Sequence, residues 1–503
     1  MPPHPPDRDE PAGSRHRDIL VVGAGISGIG IAHYLAAQLP GASFAVLEAR
    51  EAIGGTWDVF RYPGLRSDSD LHTFGYAFRP WREETSIASG EAILRYLDDT
   101  VAQEGLAAAI ILGRRVLSAN WSPGRACWVL AVQDVATGQV GTWTCRWLVS
   151  AAGYYRYDEG HTPQFPGLAD YTGILVHPQH WPADLDWAGK SVVVIGSGAT
   201  AITLVPALAQ TAAHVTMLQR TPTYVISLSS RDGAAQWARR VLGDQRAHQL
   251  VRARNARIQQ LSWLACRRFP RTARRLIRRQ NIASLPPGYP VDVHFNPPYD
   301  PWDQRLCIAP DGDFFTAIRA GRASVVTDRI ATFTPSGVAL ESGKNLEADI
   351  VVTATGLDLL PFGGIEMSLG GTPVELSRHV AHRGVMLDGI PNFAYVIGYT
   401  NGSWTMKVGL VGNYLTRLLR YMAQGGYAVC CPRLPAGGIP TAPLLDFGAG
   451  YVQRSADLLP RQGRTEPWRT STSYFADVRR LVRAPVDDGN LAFSQTASGA
   501  LLS

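Results

Sequence analysis

The sequence predicts an α/β protein with two Rossmann-like dinucleotide-binding domains. Two observations lead there: an apolar run, a glycine-rich turn and a helical pattern follow one another near the start, and the same plan recurs near the middle. Length agrees, because 503 residues exceed one ordinary core.

In the first module, residues 18–22 (DILVV) are apolar without alternation, as in a parallel strand buried on both faces. They run into GAGISG, which sets Gly23, Gly25 and Gly28 in GxGxxG register, and then into the helical pattern IGIAHYLAAQL. The glycines allow a tight turn, close backbone approach to a pyrophosphate and close helix packing, while the helix N-terminus supplies N–H donors. A second strand over 43–47 ends at Glu48, 20 residues after Gly28, where a carboxylate accepts from ribose hydroxyls. Residues 54–81, rich in glycine and aromatics without periodicity, read as a functional loop. Residues 112–150 suggest an antiparallel excursion with strands over 128–132 and 142–149, closing on WLVSAAG.

The second module repeats the first. SVVVI over 191–195 leads into GSGATA, with Gly196, Gly198 and Ala201 in the three positions, then into the helix ITLVPALAQ. Its second strand, 214–218, ends at Gln219 and Arg220, and DIVVTATG over 349–356 matches WLVSAAG. An acid suits a free ribose diol and repels a 2′-phosphate, whereas Arg220 offers that phosphate a bidentate cation. The first module is therefore expected to hold FAD and the second NADPH. The expected boundaries are a disordered tail over 1–16, an FAD domain over 17–160 and 345–503, and an NADPH domain over 161–344 with a helical insertion over 234–280.

The apolar fraction of 46% and charged fraction of 18% are those of a globular protein. The Pro-rich, charged start lacks an apolar signal core, and no apolar run approaches the roughly 20 residues that span a bilayer. Six cysteines lack CxxC spacing, which argues against dithiol reductase chemistry and for a reduced, cytoplasmic protein. No metal ligands are assigned. The net charge of +6 is uneven: residues 234–280 hold thirteen arginines and one acid, giving +12 there and −6 elsewhere. Their apolar residues recur at helical steps, broken at Pro270, so the segment reads as a helical cap with solvated arginines or as a face for anionic lipid or a partner. Residues 286–307 are expected to lie over the active site, with 295–302 and 399–405 as pocket loops and a helix over 410–422. No task is assigned to the segment after Pro432.

The motifs GAGISG, GGTWDVFRYPGLRSDSD, YTGILVHPQHWP, VVVIGSGATA, LQRTPTY, PWDQRLC, VVTATG and GYVQRS closely resemble those of Baeyer–Villiger monooxygenases, within the class B flavin monooxygenases, nearest the ethionamide-activating branch. The resemblance covers the chain from about Arg17 onward. The family fingerprint FxGxxxHxxxW is matched by Gly173, His177 and Trp181, with Tyr171 replacing the Phe. The resemblance implies that NADPH reduces FAD, that reduced flavin captures O2 as a C4a-peroxyflavin, and that a ketone becomes an ester or lactone. S- or N-oxygenation by the same flavin hydroperoxide is the alternative. It further implies that Arg305, in QRLC, stabilises the peroxyanion with Asp68, in RSDSD, orienting it. His177 is implied to serve as a hinge rather than a base, and Trp57 and Thr221, in the GGTW and LQRT matches, to touch cofactor. The expected partners are O2 and a small apolar carbonyl or sulfur compound, with no nucleic acid; oligomeric state stays open.

Overall fold

The computed structural model describes residues 15–445, 448 and 450–495. Most of the expected 1–16 tail lies outside the described residues, but Arg15 and His16 correct its boundary: the first strand is Arg15–Val22. The extension follows from a long neighbour, since Arg15 pairs with Trp143 of Val140–Ser150 and lays its guanidinium over that ring at 5.4 Å.

The first four strands of the two parallel sheets share one topology. In the first, Ile110–Ile111, Phe44–Leu47, Arg15–Val22, Val140–Ser150 and Phe393–Tyr395 lie side by side in that order, all parallel. In the second, Ala323–Thr327, His214–Gln219, Ser191–Ile195 and Ile350–Thr353 repeat the first four places, again all parallel, while the fifth strand, Ile174–Val176, comes first in the chain; the pairing of Ile350–Thr353 here carries the second module past the expected boundary at 344. Each fourth strand follows an antiparallel excursion, through Arg114–Ser122 and Cys127–Asp134 in the first module and Ile330–Thr334, Gly337–Leu340 and Asn345–Glu347 in the second. Burial explains the absence of alternation in the central strands: Leu20 and Val21 on one, and Val192, Val193 and Val194 on the other, point to opposite faces and are all buried.

The insertion forms the helices Gly233–Leu242, Asp244–Arg268 and Pro270–Ser284. The break falls where Pro270, lacking an N–H, starts a helix more readily than it continues one. The middle helix docks on the first module. Buried Arg252 donates from Nη1 to the carbonyls of His72, Thr73 and Gly75 at 3.1, 2.9 and 2.7 Å. Asn255 and Gln259 donate to the two oxygens of Asp70 at 2.9 and 2.7 Å, and His248 Nε2 meets the Tyr76 carbonyl at 3.0 Å. The expectation of a cap with solvated arginines therefore fails at Arg252.

The segment after Pro432, given no task from sequence, returns to the core. Lys407, on the helix Trp404–Gly425, and Asp477 are both almost completely buried and meet at 2.6 Å; the Tyr399 hydroxyl donates to the same Asp477 oxygen at 2.7 Å.

Removing one member of a buried ion pair leaves an uncompensated charge, which costs about 3–5 kcal/mol. Because Arg480 Nη1 also stands 3.7 Å from Asp477 Oδ1, Lys407→Met should lower stability to urea by at most that amount, and an unchanged midpoint would show the pair to be dispensable. Burial, aided by the Arg252 cation, lowers the His248 pKa to about 4. An unfolded imidazole takes its proton near 6.5, so between pH 6.5 and 4 the unfolded chain binds more protons and stability falls as pH falls, by up to about 3 kcal/mol from this residue. In His248→Gln the pH slope of the denaturation midpoint should flatten over that window.

Candidate active site

At the end of the first strand the chain turns through Gly23, whose φ of +100° suits glycine, and an added Cβ would lie 2.9 Å from the Ala151 carbonyl. At Gly28 a Cβ would stand 1.8 Å from the Gly23 carbonyl oxygen, so the helix Ile26–Gln38 can approach the strand only without a side chain there. Gly25, by contrast, faces the cavity beside Gly55. Glu48 is buried and accepts from the Ala24 and Arg50 amides at 2.7 and 3.0 Å, which fixes its carboxylate at the cavity edge. Trp57 adds an aromatic wall, edge-on to Phe74 at 5.6 Å between centroids. The cavity of about 380 Å³ thus has the glycine floor, carboxylate and aromatic wall that suit a dinucleotide.

The second turn is built alike. Gly196 has φ +137° and a Cβ there would strike the Ala354 carbonyl, while Gly198 opens on empty space at the start of the helix Ala199–Leu208 and buried Ala201 packs beneath. Arg220, just past the second strand, is exposed and makes no ion pair or hydrogen bond among the described residues. The neighbouring Thr221 carbonyl accepts from the Ser197 hydroxyl at 3.1 Å, tying the arginine's loop to the glycine turn. A free guanidinium beside an open helix N-terminus suits a phosphorylated ribose.

Arg305 and Asp68 come together from 237 positions apart, Arg305 Nη1 donating to Asp68 Oδ2 at 3.0 Å. The guanidinium also donates to the Thr400 carbonyl from Nε at 3.2 Å and to the Tyr399 carbonyl from Nη2 at 3.4 Å. Both members of the pair line the first cavity and also a second, predominantly apolar one of about 860 Å³. Ile258, Cys266, Phe269 and Leu276 of the insertion wall that second cavity, together with Trp302 and Ile308. Arg305 therefore stands where a dinucleotide site opens into an apolar chamber.

The fingerprint lies elsewhere. The Tyr171 hydroxyl donates to the Ala348 carbonyl at 3.0 Å, which gives the oxygen absent from a Phe a partner, and a Cβ on Gly173 would collide with the Tyr171 ring. Ile174–Val176 is the edge strand of the second sheet, and Trp181 packs edge-on against Trp187. His177 lines neither cavity. Its ring fills the space where Gly160 would carry a Cβ, its Nδ1 accepts from the Gln179 amide at 3.2 Å, and its buried Nε2 lies outside hydrogen-bonding geometry to any described group. Burial lowers its pKa, and the nearby Gly356 backbone opposes the shift.

Gly23, Gly25, Glu48, Trp57, Asp68 and Arg305 thus share one cavity, while Gly196, Gly198, Ala201, Arg220 and Thr221 form a separate turn. Of the expected pocket loops, Thr400 to Gly402 and Trp302 line the apolar cavity, but Phe295 is buried in the core of the second module. One contributor is not singled out from sequence, Arg50, on the cavity wall and paired with Asp58 at 2.7 Å; the expected loop 399–405 supplies two more, the 399–400 carbonyls as acceptors for Arg305 and Trp404, whose indole N–H donates to Ser27 Oγ at 2.8 Å. Trp404 closes that loop and opens the helix Trp404–Gly425.

Comparison with known proteins agrees with this fold. Residues 21–83 match the model of the NAD(P)-binding Rossmann-like domain, and residues 145–274 match that of flavin-binding monooxygenase-like proteins. Among solved structures, oxidized steroid monooxygenase bound to NADP is similar with a TM-score of 0.74 at 22% identity, covering 95% of this chain and 99% of that one. An open form of cyclohexanone monooxygenase is similar with a TM-score of 0.70 at 22% identity, covering 83% and 90%. The FAD-containing monooxygenase EthA of Mycobacterium tuberculosis is 47% identical over 96% of this chain and 98% of its own length. The putative FAD-containing monooxygenase MymA of the same species is 47% identical over 96% and 99%. Identity of that extent over nearly the whole of both chains shows that this chain belongs to the family of FAD-containing monooxygenases.

Proposed function

We infer that the protein uses NADPH and O2 to insert one oxygen atom beside the carbonyl of an apolar ketone, giving an ester or lactone. The observation that carries this reading is Arg305, held against Asp68 at the opening between the dinucleotide cavity and the apolar chamber. Bound FAD, reduced by NADPH, supplies the activated oxygen. Gly23, Gly25, Glu48 and Trp57 would hold the flavin dinucleotide and Gly196, Gly198, Arg220 and Thr221 the nicotinamide dinucleotide, while Gly28 and Ala201 let the two helices pack closely behind them. Attack on a carbonyl needs the oxygen as an anion, and a guanidinium stabilises an anion without giving up its proton at working pH. Asp68 and the 399–400 carbonyls fix where that cation points. The predominantly apolar lining of the chamber suits an apolar ketone of moderate size. His177 supplies no proton in this scheme; it packs where the modules join.

A second reading, S- or N-oxygenation, is favoured by the carboxylate of Asp68 at 3.0 Å from Arg305, which offsets part of the cation's charge. Transfer of electrophilic oxygen to sulfur or nitrogen needs no anion. Incubation with a cyclic ketone and with a thioether separates the two: lactone as the main product supports the first reading, and sulfoxide alone supports the second.

Arg305→Ala should still oxidise NADPH, with hydrogen peroxide released, while ester formation falls by about 10²–10³, the usual loss for one electrostatic stabiliser. Ester formation at the parent rate would remove Arg305 from the reaction. Arg220→Gln should lower kcat/KM for NADPH by about tenfold to a hundredfold, the loss of one charge-assisted contact, and leave NADH unaffected. An equal fall for both would mean that Arg220 does not read the 2′-phosphate.

A further inference from the structure

The +12 charge of the insertion separates into groups once the partners of each arginine are known. Arg239, Arg254, Arg267, Arg274 and Arg278 pair with carboxylates, and Arg252 is buried on backbone carbonyls. The remaining seven, Arg240, Arg246, Arg257, Arg268, Arg271, Arg275 and Arg279, are exposed and have no ion pair among the described residues. At 3.6 residues per turn, Arg246, Leu250, Arg257, Leu261, Leu264 and Arg268 fall within about 60° of one another on the helix Asp244–Arg268. Leu250, Leu261 and Leu264 on this face are 59%, 63% and 46% exposed. Trp237 and Val241, one turn apart on the preceding helix, are exposed to the same degree. Arg257 stacks over Phe475, itself exposed, which adds a further ring to the surface.

This apolar surface continues into the large cavity. Ile258, Phe269 and Leu276 line the chamber yet remain more than half exposed, so its wall turns outward beside the arginine-flanked face. No helix of the protein is long and apolar enough to cross a membrane among the described residues.

We propose that the outer face of the insertion docks on an anionic lipid bilayer and that apolar substrate enters the chamber from it. Leucines interleaved with arginines match the acyl boundary and the anionic headgroups together. A second copy of the chain would bring the same unpaired cations against these, so charge favours lipid over self-association. Entry of substrate rests on the function proposed above, whereas docking does not.

The test uses FAD-loaded enzyme sedimented with vesicles of phosphatidylcholine alone and of phosphatidylcholine mixed with phosphatidylglycerol. Parent enzyme should pellet with the mixed vesicles and stay in solution with phosphatidylcholine. Loss of each arginine near an anionic surface is worth about fivefold, so Arg257→Gln/Arg268→Gln should weaken partitioning by roughly twenty-fivefold. Leu261→Glu/Leu264→Glu should abolish it. Both variants should retain flavin and turn over a small water-soluble ketone at the parent rate, a control that fails separately if the reaction itself is misassigned. Equal partitioning of parent and variants, or of both vesicle types, overturns the proposal. So does a dimer in the ultracentrifuge that Leu261→Glu splits, because the face would then belong to a second copy.

Discussion

The Arg305–Asp68 ion pair joins three segments of this molecule at the edge of both cavities. Asp68 belongs to the glycine-rich loop of the first module, Arg305 to the coil leading into the strand Cys307–Pro310, and the carbonyls that take the other guanidinium donors to residues 399 and 400. A carbonyl is a useful acceptor only if its peptide is fixed. Here the peptide follows Tyr399, whose hydroxyl is anchored on buried Asp477, which in turn neutralises Lys407. The C-terminal segment, Pro- and Gly-rich and without evident pattern, is thereby tied to the placement of the cation.

A second constraint comes from the way the chain crosses between modules. The first parallel sheet takes its fifth strand, Phe393–Tyr395, from beyond the return crossing, and the second takes Ile174–Val176 from just after the outward one. The two crossings run together: Tyr155 bridges Leu359, the Arg156 amide donates to the Asp358 carbonyl at 2.8 Å, and His161 pairs with Asp358 at 3.2 Å. His177 packs against Gly160 on one crossing and lies near Gly356 on the other. The fingerprint therefore combines an edge strand, which must be extended, with a histidine set against both connections. Those two demands account for its Gly and His spacing better than a place in either cavity.

What was legible in the sequence follows from how locally each feature is encoded. The glycine turns, the central strands and the acid-to-arginine change each depend on a few adjacent residues and the backbone they require, and the structure shows the same turns and strands. The Arg305–Asp68 contact was reached only through motifs of a known family, because nothing in local spacing joins residues 237 positions apart. Phe295 was assigned to a pocket on composition alone, but an aromatic in coil packs into a core as readily as it lines a cavity, and here it packs against Phe314 and Phe315. The limits of the long helix were also compressed, to 410–422 instead of Trp404–Gly425, because Thr405, Lys407 and Gly409 interrupt its apolar pattern while their partners lie in distant segments.

The insertion shows the same limit in its sharpest form. Thirteen arginines at similar spacing look alike in sequence, yet the environment divides them into three physical kinds. Arg252 has lost its water and is held by carbonyls alone, which an arginine tolerates because its charge is delocalised over a planar fork with five donors. A lysine there would carry a compact charge with three donors and a greater desolvation cost. The carboxylate-paired arginines close the seams between helices and the loops beneath, as Arg278 does with Asp292 at 2.7 Å through both nitrogens. Once these are set aside, the arginines left over are all exposed, and three of them, Arg246, Arg257 and Arg268, share a helix face with the exposed leucines Leu250, Leu261 and Leu264. Solubility alone would favour charges of both signs scattered around the helices. A one-sign, apolar-laced face bordering the mouth of a large cavity is what remains when the structural roles have been subtracted.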